Sequence, residues 1–129
     1  MHPFRAAVEA RDHEAMVALL DDDVVFHSPI AHRPYAGKAV VGAILGAVLR
    51  IFEDFEYERE IGDPAARDHA LIFRCTVDGL QLQGCDFLTV NEAGKITDFT
   101  VMLRPLKAVM AFAERMNVEF AAAMAALDA

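Results

Sequence analysis

Asp86 is the residue with the clearest chemical potential, because the pattern around it sets a carboxyl on an apolar face. Two apolar runs flank Asp78-Gly79, a strong signal for a two-residue hairpin turn. That turn places Val77 opposite Leu80, Cys75 opposite Leu82, Phe73 opposite Gly84 and Leu71 opposite Asp86. One face then reads Leu71, Phe73, Cys75, Val77, Leu80, Leu82, Gly84, Asp86 and Leu88, and Asp86 is the one residue on it that is ordinarily charged near neutral pH. A charged carboxylate in such surroundings is costly, so it must be paired or hold its proton. It can cap a backbone amide, pair with Arg59 or a histidine, or stay neutral and donate a hydrogen bond to a developing oxyanion. The same register separates Cys75 from Cys85 and predicts two free thiols, both packing residues with nothing local to activate them.

Three further side chains are candidates to assist. His27 and His32 flank the loop at Pro29, which is expected near the mouth of the fold. A histidine within reach of Asp86 supplies a base that titrates near neutrality. The strand period leaves the direction of His27 open, and an ordinary surface position is the alternative for both histidines. Tyr57 supplies a phenol if it points inward, and otherwise is a core tyrosine with its tip toward polar surroundings. Ser28 lacks any nucleophile-elbow pattern. The histidines at 2, 13, 27, 32 and 69 have no paired ligand spacing, so neither a metal nor another cofactor is expected.

The elements that must position these residues are legible from periodicity. Helical spacing covers residues 3–20, with Asp12 as the start of a second helix and Asp21-Asp22-Asp23 as its polar end. A short strand follows at Val24-Val25-Phe26, and Gly37 precedes the most apolar helix, over about 39–52. From Phe55 the period changes to two, which sets Phe55, Tyr57, Arg59 and Ile61 on one face and Asp54, Glu56, Glu58 and Glu60 on a solvated one. Strands over 71–77, 80–90 and 96–104 complete a four-stranded antiparallel meander, and Pro105 begins a helical tail over 106–127. The order predicts an α+β fold in which helices cover one face of a curved sheet. The outer face, with Arg74, Thr76, Gln81, Gln83, Thr100 and Met102, mixes polar and apolar groups and suits a homodimer contact. The apolar tail helix either closes the interior, packs on a partner or completes the core.

Composition sets the class. With 129 residues, 55% hydrophobic and 25% charged, the chain suits one globular domain over residues 1–129. A formal charge of -8 argues against binding nucleic acid, whose phosphates it would repel. Arg50, Glu53 and Asp54 interrupt the longest apolar stretch before it reaches membrane-spanning length, and Met-His-Pro-Phe-Arg carries no signal-peptide core. A cytoplasmic location without membrane contact is the expectation.

The order of elements, together with Asp-His-Glu-Ala at the second helix start, the segment Leu20 to Pro29, Gly37 and Gly94-Lys95-Ile96, resembles the nuclear transport factor 2-like superfamily. Within it the chain is similar to the SnoaL-like and ketosteroid isomerase-like branch over residues 3–105. The resemblance implies a conical barrel: a curved antiparallel sheet with three N-terminal helices enclosing a hydrophobic pocket, plus here a C-terminal helix, usually in homodimers. It also implies a ligand class, small hydrophobic molecules of steroid or polyketide type, and isomerase-like or lyase-like chemistry. Asp86, eight positions before Gly94, matches the aspartate that donates to the substrate oxyanion in ketosteroid isomerases. Their general base falls here on Ser28 and their oxyanion tyrosine on Phe4, so one of three catalytic positions is kept. The acid of polyketide cyclases and epoxide-hydrolase relatives falls on Val101, and the arginine of the latter on Gly84. The implied wall comprises Phe4, Val8, Phe55, Tyr57, Phe73, Asp86, Phe99, Val101 and Leu103, with Ser28 at its edge. The alternative is a barrel kept for ligand binding or dimeric assembly without chemistry.

Overall fold

The structure is a computed structural model and describes residues 1–128. The chain runs α1 (Pro3–Glu9), α2 (His13–Ala18), β1 (Leu20–His27), β2 (Tyr35–Ala36), α3 (Lys38–Ile51), β3 (Glu53–Ile61), β4 (Asp68–Val77), β5 (Leu80–Val90), β6 (Ile96–Arg104) and α4 (Leu106–Asp128). Local chemistry explains several boundaries. The Asp12 carboxylate accepts from the Ala15 amide at 3.1 Å and caps α2. Asp78 and Gly79 adopt φ of 51° and 79°, the paired left-handed geometry that an Asp-Gly hairpin turn requires. The Asn91 side chain accepts from the amides of Ala93 and Lys95 and closes the turn into β6.

The strands form one six-stranded sheet in the order β2-β1-β6-β5-β4-β3. It is curved and unclosed, and with its four helices it has the expected α+β cone architecture. Two features exceed the anticipated meander. A two-stranded extension, β1 with β2, is added at the β6 edge, and β1 runs parallel to β6 with Phe26 beside Phe99. Asp21-Asp22-Asp23 lies within β1 instead of forming a turn after α2. The β1–β6 register shifts between Leu20 and Val25, across this acidic triplet, and leaves Asp22 and Asp23 exposed.

The anticipated β4–β5 register holds throughout: Leu71 opposes Asp86, Phe73 opposes Gly84, Cys75 opposes Leu82 and Val77 opposes Leu80. Strict alternation in β3 does not hold. Tyr57 pairs with Phe73, but Arg59 pairs with Ile72 and Glu60 with Leu71, so an irregularity at Glu58 reverses the faces beyond it. Arg59 and Ile61 turn to solvent, and Glu60 turns toward the interior side.

The core fills the concave side. α3 is apolar around most of its circumference and buries Val41, Ile44, Leu45, Ala47 and Ile51. Gly42 and Gly46 let α2 approach closely, with Val17 and His13 in the space that Cβ atoms would take. His13 Nε2 donates to the Gly42 carbonyl at 2.7 Å. α4 lies against α3, β5 and β6 and inserts Ala108, Phe112 and Met116 into the core. No helix among the described residues is long and apolar enough to cross a membrane.

Candidate functional site

The sheet and helices enclose a cavity of about 340 Å³. Its wall takes Phe4 and Val8 from α1, Met16 from α2, Phe26 from β1, Ile44, Leu45, Val48 and Leu49 from α3, and Phe112 and Met116 from α4. The sheet contributes Phe55, Tyr57, Phe73, Asp86, Phe99 and Val101, and Phe52 lies just beyond α3. Glu9, Arg11, Ser28, Pro29 and Glu56 complete the lining. The aromatic rings brace one another: Phe55 stacks on Phe73 with centroids 4.8 Å apart, and Phe4 meets Phe99 edge-on at 5.2 Å.

Asp86 is 7% exposed and its cross-strand neighbours on the two flanking strands are Leu71 and Val101, neither of which offers a polar group from its side chain. Burial pushes its carboxyl up to about 8. Arg59, which could have neutralised it, is turned to the opposite face by the β3 irregularity. A carboxyl with that history holds its proton near neutral pH and presents an O–H to the cavity.

Tyr57 shares the wall. Its hydroxyl is buried without a hydrogen-bond partner among the described residues. Burial raises its pKa first, and the nearby Asp86 carboxylate raises it further, so the phenol stays protonated. A neutral carboxyl and a tyrosine with a buried, neutral hydroxyl therefore share the wall of one largely apolar cavity, an arrangement that can receive a carbonyl or phenolate oxygen.

Most of the residues expected in the wall lie along the cavity. Phe4, Val8, Ser28, Phe55, Tyr57, Phe73, Asp86, Phe99 and Val101 all line the cavity. His27 does not: it alternates with inward Phe26, and its Nε2 donates to Asp98 Oδ2 at 3.1 Å on the other face. His32 is exposed in the loop before β2 and lies outside the lining. Leu103 packs with Phe73 in the space above Gly84 instead of lining the cavity. The Ser28 hydroxyl accepts from the amides of Ile30 and Ala31, a local turn role. Both cysteines are free, with Cys75 buried and Cys85 on the other face. Among the described residues no group of three or more His, Cys, Asp and Glu side chains is disposed to hold a metal ion.

A polar cluster behind Tyr57 was not apparent from periodicity. Glu60 accepts from the His2 amide at 3.0 Å and lies 3.6 Å from Arg5 Nη1. The Arg5 guanidinium sits over the Tyr57 ring, 5.3 Å from its centroid. The His2 ring meets the buried His69 ring edge-on at 4.6 Å. The irregularity that brings Glu60 inward leaves no mark on a residue pattern that alternates without a break.

This geometry has close counterparts. The model of the SnoaL-like domain family matches residues 2–99. The chain belongs to the SnoaL-like family. Among solved structures, this SnoaL-like chain is similar to a steroid delta-isomerase from Pseudomonas aeruginosa, with 38% identity, a TM-score of 0.87, and coverage of 95% of this chain and 89% of that one. A protein with a cystatin-like fold from Silicibacter pomeroyi DSS-3 is also 38% identical, with a TM-score of 0.83 and coverage of 92% and 85%. An NTF2-like protein from Cytophaga hutchinsonii shares the fold at 17% identity, with a TM-score of 0.60 and coverage of 80% and 85%. No curated protein matches the sequence. The SnoaL-like cone is a fold consistent with ligand binding or isomerase-like activity.

Proposed function

We propose that this SnoaL-like chain binds a small hydrophobic carbonyl compound of steroid or polyketide type and promotes isomerase-like proton transfer on it. The ligand oxygen rests against Asp86, which acts as acid or oxyanion donor, with the Tyr57 hydroxyl as a second donor. One observation carries this reading: a carboxyl with aliphatic cross-strand neighbours faces a largely apolar cavity. A neutral acid there stabilises negative charge as it develops on the ligand oxygen, and needs no reorganisation to do so. The 38% identical steroid delta-isomerase lends the ligand class support.

A second reading has its own observation. His27 and His32 stand outside the cavity, and Phe4, Ser28 and Val101 fall where the family resemblance implies a tyrosine, a base and an acid. A cavity so lined suits binding without turnover, or an assembly module that dimerises through the outer sheet face around Met102, which is 59% exposed.

A thermal-shift screen of wild type and Asp86→Asn against steroid enones, naphthols and polyketide-like quinones separates these readings. Ligands that stabilise wild type and lose their effect in Asp86→Asn support Asp86 as donor. Exchange of a ligand C–H proton with solvent, abolished in the variant, establishes catalysis. Binding without exchange leaves the second reading, and no binding at all refutes the ligand site.

A further inference from the structure

The Tyr57 hydroxyl is useful only if its ring is held, and besides Phe55 and Phe73 in the wall, the ring is supported by groups outside the cavity lining. β3 turns Glu60 inward at the irregularity after Tyr57, three residues along the same strand. There Glu60 anchors the start of α1 through the His2 amide and approaches Arg5. Glu9, one turn further along α1, lies 3.5 Å from Arg5 Nε. Two carboxylates from different elements thus hold one guanidinium, whose carbon lies over the Tyr57 ring. Phe55 meets the same ring edge-on at 4.9 Å. Arg5 Nε, Glu60 Oε1 and the Tyr57 hydroxyl are all buried without hydrogen-bond partners among the described residues. Such polar burial is destabilising, and a fold that needed only packing there would do better with apolar side chains.

We propose that Arg5, clamped by Glu9 and Glu60, is the positioning residue of Tyr57 and holds its hydroxyl toward the ligand oxygen beside Asp86. The inference rests on the donor reading given above for Tyr57. A cation held over the ring face restrains its orientation and favours the negative charge that a phenol gathers when it donates. Lysine keeps the charge but not the planar guanidinium; methionine keeps neither.

Two tyrosines and no tryptophan make the ring directly observable by carbon-13 labelling of tyrosine, with Tyr57→Phe assigning its resonance. Arg5→Met is expected to shift the Tyr57 Cζ resonance while leaving that of Tyr35 in place. It is also expected to weaken 2-naphthol binding by about three- to tenfold, with naphthalene binding unchanged. Arg5→Lys falls between the two. Should Arg5→Met not fold, Glu60→Gln, which keeps a hydrogen-bond acceptor and loses the charge, gives the same readout with a smaller shift. A Tyr57 resonance that stays put in the folded variant overturns the proposal, as does an unchanged preference for naphthol over naphthalene. If wild type shows no such preference, the donor reading fails, and the resonance alone then decides whether Arg5 positions the ring.

Discussion

Tyr57 and Asp86 face one cavity from strands separated by β4, and the Asp86 carboxylate raises the pKa of the Tyr57 hydroxyl. Their proximity is set by pairing: Tyr57 opposes Phe73, Phe73 opposes Gly84, and Asp86 follows two residues later on the same face. Among the described residues, β3 and β5 thus present the oxygen-bearing side chains of the sheet that line the cavity, with Glu56 at its exposed margin.

The Asp86 carboxyl makes stability depend on pH. Its folded pKa of about 8 lies above the ordinary aspartate value of 3.8. Between these values the unfolded chain has lost the proton that the folded chain keeps, so folding stability falls as pH rises, by up to about 1.4 kcal/mol per unit. Below the lower value both states are protonated and this contribution is unaffected by pH. Asp86→Asn is therefore expected to gain stability over wild type progressively from pH 4 to 8, by several kcal/mol at the upper end. Urea denaturation of both proteins at pH 4.5 and 8 checks it; a constant difference would show that the carboxyl ionises as freely folded as unfolded.

Ligand binding follows the same proton. A neutral acid donates to a carbonyl, whereas a carboxylate repels it, so affinity for a non-ionising aromatic ketone such as 2-acetylnaphthalene is expected to be flat below pH 7. Above the folded pKa it falls by up to about tenfold per unit. Calorimetric titration across pH 6 to 9 reads this directly, and Asp86→Asn should show no such dependence.

Gly84 has a packing role. A Cβ there would collide with the Phe73 ring and Leu103. Gly84→Ala is expected to lose about 1–3 kcal/mol and to push Phe73 into the cavity, weakening binding of every ligand alike. Thermal denaturation together with the 2-acetylnaphthalene titration tests both effects.

The thiols should differ in accessibility and agree in sluggishness. Burial pushes Cys75 up to about 12, and Cys85 is raised less, mainly by partial burial and then by Asp86. At pH 8 a disulfide reagent is expected to modify Cys85 slowly and Cys75 only on unfolding. Rapid modification of both in the native protein would contradict the register of β4 and β5.

What the residue pattern revealed and what it missed have separate physical causes. A two-residue Asp-Gly turn admits one register, so every β4–β5 pair, and with them the interior position of Asp86, followed from local sequence. The placement of β1 beside β6 depends on a contact between distant segments, which local periodicity does not encode. The direction of His27 depended on that pairing. The β3 irregularity has no Gly or Pro to announce it, so Glu60 and Arg59 were assigned to each other's faces. The contact between Arg5 and Glu60, which lies 55 positions away on β3, is likewise beyond what local periodicity encodes.

Tyr57→Phe separates stability from function most sharply. The Tyr57 hydroxyl is buried without a partner among the described residues, so its desolvation is not repaid in the free protein. Removing one oxygen leaves the ring contacts with Phe55, Phe73 and Arg5 in place. The variant is therefore expected to be more stable by about 1 kcal/mol, a rise of a few degrees in Tm. Binding tells the opposite story if the hydroxyl serves the ligand: affinity for 2-acetylnaphthalene should drop by about tenfold, with naphthalene unaffected. A hydroxyl that merely packed would give the stability gain without the selective loss, and one that held the fold together would reverse the sign of the first effect. Calorimetry on the one variant thus decides whether the unpaired hydroxyl is kept at the expense of stability because a ligand oxygen completes it.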